Sequence, residues 1–116
     1  MEITQIERTL VAAIKGELDH VEAEKLRPQI DTAFDNSPCK HIIFDMGGVQ
    51  FMDSSGIGMI IGRYKNAQQR GGQVVITNMT LPITRLYEIS GLKKIILSAD
   101  TVDAGLNLVG GRHSDR

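Results

Sequence analysis

The stretch His41-Ile42-Ile43-Phe44-Asp45, followed beyond Gly47-Gly48 by Phe51-Met52-Asp53-Ser54-Ser55-Gly56-Ile57-Gly58, changes its apolar period across a short polar break. The first run is continuously apolar, as expected of a strand buried on both faces, and Gly47-Gly48 reads as its end. After the break Ile57, Ile60, Ile61 and Tyr64 recur at helical spacing until Gly71-Gly72, a helix stop. Asp53-Ser54-Ser55-Gly56 therefore marks a strand-to-helix turn, on the edge of an open α/β sheet where ligands and partners usually meet the protein.

The same alternation continues in both directions. Upstream, Leu10, Ala12 and Ile14 interleaved with Val11 and Ala13 predict one or two strands, bounded by Gly16. Asp19 followed by Glu22 resembles a capping box, and Ala23, Leu26, Ile30, Ala33 and Phe34 predict a helix over about 21–35. Pro28 lies beyond its first turn and should bend it or shift its start. Downstream, Val74-Val75-Ile76 predicts a buried strand, and a helix starting near Pro82 carries Ile83, Leu86 and Ile89 on one face and closes at Gly91. Ile95-Ile96-Leu97 predicts a last strand. Thr101 caps a final helix with Val102, Leu106 and Val109, ending at Gly110-Gly111, and 112–116 is expected to form a flexible tail behind a domain spanning 1–111. Gly58 and Gly62 share a helix face and are expected to let it approach a neighbour closely. Strands alternating with helices call for a mostly parallel sheet with right-handed crossovers, most simply one covered on both faces.

Composition narrows the function. The 116 residues are 41% apolar and 23% charged, which fits one ordinary domain. Thirteen basic against fourteen acidic residues, with only 4% aromatic, offer neither a basic patch nor stacking rings for nucleic acid. No apolar stretch is long enough to span a membrane and the start lacks a signal-peptide pattern, so a cytoplasmic protein with no membrane partner is expected. Cys39 alone cannot form an internal disulfide and reads as a small loop residue after Pro38, and His20, His41 and His113 show no metal-ligand spacing with it. No Gly-x-Gly-x-x-Gly or Gly-x-x-x-x-Gly-Lys-Ser/Thr occurs, so no cofactor or phosphate loop is expected.

Asp and Ser are preferred helix N-caps, so any of Asp53, Ser54 or Ser55 could simply satisfy free N–H groups. A hydrolase would use Ser54 or Ser55 as nucleophile, but the Gly-x-Ser-x-Gly elbow is missing and no histidine is placed beside them by sequence. A regulatory phosphate would add about 1.5–2 negative charges at a helix start, which receives anions well, so the fold should survive while a docked partner would be repelled.

The whole chain resembles the bacterial anti-sigma-factor antagonists of the STAS domain family. Gly16-Glu17-Leu18-Asp19 matches the family's motif after the second strand, and Phe51-Met52-Asp53-Ser54-Ser55-Gly56-x-Gly58 its phosphorylation motif. Asp19-His20 and Gly62-Arg63-Tyr64-Lys65 look most like the sporulation branch rather than the general-stress one. The resemblance implies an α/β STAS fold, a mostly parallel mixed sheet with about four helices packed mainly on one face. It implies a non-enzymatic partner-switching regulator of transcription, whose unphosphorylated form binds an anti-sigma-factor serine kinase with bound ADP or ATP and releases a sporulation sigma factor. Phosphorylation on Ser54 inactivates it, and a metal-dependent serine phosphatase restores it. Asp19, Asp53, Ser54, Ser55, Gly56 and Ile57 are then the expected partner-binding residues, with Ser55 left as the helix cap and Asn78-Met79-Thr80 as a weaker contact loop on the same edge. Within the same fold, the alternatives are a general-stress pathway or a transporter's regulatory domain.

Overall fold

Alternating burial sets the two faces of the sheet. Along β2 (Thr9–Leu18), Leu10, Ala12 and Ile14 pack into the main core, while Val11 faces the other way. The same split separates Ile42 and Phe44 from Ile43 in β3 (His41–Met52), and Val74 and Ile76 from Val75 in β4 (Val74–Thr77). The computed structural model describes residues 1–110, so the tail expected at 112–116 and the helix stop at Gly111 lie outside the described residues. With β1 (Glu2–Ile6) and β5 (Leu97–Ala99), the strands form one sheet in the order β1-β2-β3-β4-β5, antiparallel between β1 and β2 and parallel elsewhere.

That sequential order decides where the helices go. α1 (His20–Asp35), α2 (Ser54–Gln69) and α3 (Leu81–Ile89) each join two parallel neighbours in the same direction across the sheet, so right-handed crossovers put all three on one face. Ala23, Leu26, Ile30 and Phe34 of α1, Met59, Ile60 and Ala67 of α2, and Ile83 and Tyr87 of α3 all join the main core. A sheet covered equally on both faces would need the strand order to reverse, which it does not. Only α4 (Val102–Leu108), which follows the last strand, covers the opposite face, through Leu106 against Val11, Ile43 and Val75. Four helices and a mixed five-stranded sheet thus match the α/β arrangement that the resemblance implied.

Several local expectations are corrected. β3 does not end at Gly47-Gly48: its ladder with β2 runs on through Lys15↔Gly48 to Leu18↔Met52, across two register shifts. Gly16 likewise lies inside β2. Ile95 and Ile96 precede the last strand, because the chain first makes a 3₁₀ turn over Leu92–Lys94 and pairs with β4 only from Leu97. Ile89 is 82% exposed, and the buried position in α3 belongs instead to Tyr87, whose hydroxyl donates to Ile96 O at 2.6 Å. Side chains added at Gly58 or Gly62 would meet nothing, so that pair does not serve close helix packing. Pro28 sits exposed inside α1, which runs through it.

The far end of the helical layer is clasped by Arg70. Its guanidinium stacks 4.0 Å over the Phe34 ring and donates from Nη1 to Phe34 O at 3.0 Å and to Cys39 O at 2.7 Å. Cys39 itself is buried beneath this clasp. Nearby, His41 is 6% exposed and its Nδ1 accepts a hydrogen bond from the Gln73 amide at 3.0 Å. Burial, then Lys40 and Arg8, push its pKa below the ordinary 6.5.

The unfolded chain therefore takes up the His41 proton more readily than the folded one, so this contribution to stability is complete above pH 6.5 and is lost as the pH falls below it. Urea midpoints measured at about pH 7.5 and about pH 5 should drop for the parent chain, and drop less for His41→Asn.

Candidate functional site

Two helix starts lie side by side because their strands do. The last ladder pair of β2 and β3 is Leu18↔Met52, so the next residues, Asp19 and Asp53, leave the sheet as neighbours. The Asp53 amide donates back to Leu18 O at 3.4 Å. Both aspartates have extended backbones and cap the helices that follow. Asp19 Oδ1 accepts from the Glu22 amide at 3.0 Å; Asp53 Oδ1 accepts from the Ser55 amide at 2.9 Å and the Gly56 amide at 3.4 Å. Each carboxylate also sits at the positive end of a helix dipole.

This arrangement divides the polar cluster. Ser54 occupies the first helical position and is exposed, whereas Ser55, one residue on, is half-buried. The cap is Asp53, not Ser55 as expected, because only the residue before the first turn has the extended backbone that turns its side chain onto the free N–H groups. The Ser55 hydroxyl instead lies 3.4 Å from His20 Nδ1, joining the first turns of α1 and α2. Ile57 is half-buried against the main core. Gly56 is buried where α2 meets β2: a Cβ there would lie 2.7 Å from Leu18 O and 2.6 Å from Met52 Cγ. Only a residue without a side chain lets the helix seat this closely.

The loop at Asn78-Met79-Thr80 sits lower than expected. β4 pairs with β3 only as far as Asp45↔Thr77, while β3 continues to Met52, so the motif projects past the main sheet. Asn78 has a left-handed φ of 57°, and Thr80, although at the N-cap position of α3, donates its hydroxyl to Val49 O at 2.9 Å. Sequence reasoning missed the apolar rim beside this overhang. Phe51, Leu81 and Ile89 are all exposed there, and Phe51 and Ile89 border a groove shared with Pro82 and Leu86. Helical spacing places Ile89 on one face with Ile83 and Leu86, but it does not show that Ile89 is exposed while Ile83 is buried.

Known proteins share this fold. The STAS domain model matches residues 1–105. The chain belongs to the STAS domain family. It is 42% identical over 87 residues to the anti-sigma F factor antagonist of Paenibacillus polymyxa, covering 75% of this chain and 74% of that one. To the anti-sigma-B factor antagonist of Bacillus subtilis it is 32% identical over 100 residues, covering 83% and 86%. A solved structure of the Bacillus cell fate determinant SpoIIAA in the phosphorylated form superposes with a TM-score of 0.71 at 28% identity, covering 93% of this chain and 97% of that one.

Among the described residues no group of three His, Cys, Asp or Glu side chains could hold a metal ion, and no helix is long and apolar enough to cross a membrane. The site's chemistry is that of capped helix starts presenting one exposed hydroxyl. The glycines give its clearest mechanical test. Gly56→Ala should cost about 1–3 kcal/mol by overpacking against Leu18 and Met52. Gly58→Ala, in open space, should stabilise by about 0.5–1 kcal/mol. Urea unfolding of the two variants checks the contrast.

Proposed function

We propose that this chain is an anti-sigma-factor antagonist that docks its partner on the edge presented by Asp19, Asp53, Ser54, Ser55 and Ile57, with the buried Gly56 seating the helix beneath that edge rather than touching the partner, and that Ser54 is its phosphorylation switch. The observation that carries the reading is the Leu18↔Met52 register, which sets two capped helix starts side by side and leaves Ser54 exposed between sheet and solvent. The unphosphorylated form binds an anti-sigma-factor serine kinase holding ADP or ATP, in the cytoplasm, and frees a sporulation sigma factor. A metal-dependent serine phosphatase resets it. The 42% identity to one anti-sigma F factor antagonist supports the sporulation pathway, with general stress, whose antagonist in Bacillus subtilis is 32% identical, as the second reading.

Physical chemistry supports the direction of the switch. A phosphoryl group on Ser54 joins the first turn of α2, where helix N–H groups and the dipole tolerate an anion, so the domain stays folded. It also adds charge beside the Asp19 and Asp53 carboxylates on the surface a partner must cover. Like charges juxtaposed in an interface cost several kcal/mol, and about 2.8 kcal/mol already means a hundredfold in affinity.

The Ser55–His20 contact is the one observation that favours a hydrolase. At 3.4 Å it is longer than the roughly 2.6–3.2 Å of a working nucleophile–base pair. Ser55 is also half-buried, so binding is the better reading.

Incubation with the anti-sigma F kinase and ATP should place one phosphoryl group, mapped by mass spectrometry to Ser54. Ser54→Ala should bind the kinase as the parent does and escape inactivation, while Ser54→Asp should bind about a hundredfold more weakly. A phosphoryl group mapped to Ser55 or elsewhere would overturn the assignment, and ester hydrolysis lost in Ser55→Ala would favour the enzyme.

A further inference from the structure

A groove between α1 and α2 opens next to the motif without involving Ser54. His20, Glu24 and Arg27 line it from α1, and Ser55, Gly58 and Arg63 from α2. Its volume is about 230 Å³. That is below the roughly 300–1,000 Å³ of sites for drug-sized ligands, but several times the ~30 Å³ that one water occupies. A small ion with part of its hydration shell fits this space, and a nucleotide does not.

Arg63 gives the groove its chemistry. The residue is 7% exposed, yet its Nη1 is buried without a hydrogen-bond partner among the described residues. Nε lies 3.0 Å from Asp31 Oδ1, but its N–H is not aligned with that oxygen. Asp31 is shared, since it also accepts from Asn66 Nδ2 at 3.3 Å. The Arg63 charge is matched by Asp31, but buried guanidinium donors are normally hydrogen-bonded as well, because an unsatisfied donor away from water is costly. Burial lowers the Arg63 pKa, Asp31 raises it and Arg27 lowers it again. Glu24, the groove's one acid, is engaged by Arg27 at 2.9 Å.

The geometry points to this groove as a binding site for a small tetrahedral oxyanion of the phosphate type, held by Arg63 with help from Arg27 and the Ser55 hydroxyl. A guanidinium presents paired N–H donors that match two oxygens of such an ion. Ser55 and His20 line the groove from the first turns of α2 and α1, so occupancy would tie together the two helix starts that border the docking edge. The site does not depend on the Ser54 switch, and either could fail without the other.

The test is an NMR titration of the unphosphorylated chain with inorganic phosphate, and separately with glycerol phosphate, against sodium chloride at matched ionic strength. Saturable shifts at the Arg63 side chain and at the Ser55 and Gly58 amides are expected, and the better-binding arm identifies the source as a free ion or a phosphomonoester. Gly58→Glu adds a carboxylate where a side chain meets nothing, so it should fold and bind at least about tenfold more weakly. Arg27→Gln, on the exposed rim, should also weaken binding. Shifts no larger than those in chloride, or unchanged affinity in both variants, would overturn the proposal.

Discussion

Everything at the candidate site depends on the pairing of β2 with β3 being carried to its last rung. Had β3 stopped at Gly47-Gly48, Asp53 would have no neighbour, and the two helices would start at unrelated heights. Because the ladder reaches Leu18↔Met52, Asp19 and Asp53 emerge together, each turning its carboxylate onto the first amides of its own helix. Each cap contributes on the order of 1 kcal/mol. Their larger effect is positional, since they fix which serine faces solvent.

Gly56 makes that placement tight. With its Cα against Leu18 O, the first turn of α2 has no room to slide along the sheet, and Ser54 is held at the first helical position. The sequential strand order then crowds three helices onto one face and leaves the carboxyl edge uncovered. Together these constraints give a rigid scaffold with a small polar surface, where one added charge alters recognition more readily than it alters folding. The exposed apolar side chains of Phe51 and Ile89 share a groove with Met52, next to the motif, and enlarge the area a partner could bury.

Much of this was legible in the residues. Continuous apolar runs at Ile42-Ile43-Phe44 and Val74-Val75-Ile76 identified the central strands, and helical spacing in Ala23, Leu26, Ile30 and Phe34 identified the first helix, because periodicity follows directly from which face is buried. The side that each helix covers was not legible from local pattern, since it follows from strand order across the whole sheet. Glycine misled twice. In β3, two glycines were read as a stop where cross-strand pairing carries the chain through, and in α2 a glycine pair was read as packing where the space is open. The motif's location was readable, but the division of labour within it was not: only backbone geometry distinguishes Asp53 as the cap from Ser55, whose hydroxyl turns to His20. Arg63 belongs to the Gly62-Arg63-Tyr64-Lys65 stretch, but the burial of its guanidinium beside Asp31 emerges only when α1 and α2 are packed.

If Ser54 is the phosphorylation site proposed above, a phosphoryl group there changes a surface and not a fold. The most direct measurement is the amide NMR spectrum of the chain before and after stoichiometric phosphorylation of Ser54. Shifts should be confined to the first turns of α1 and α2 and the ends of β2 and β3, with the remaining amides unmoved. Loss of dispersion, or shifts spread through β4, β5 and α4, would contradict it.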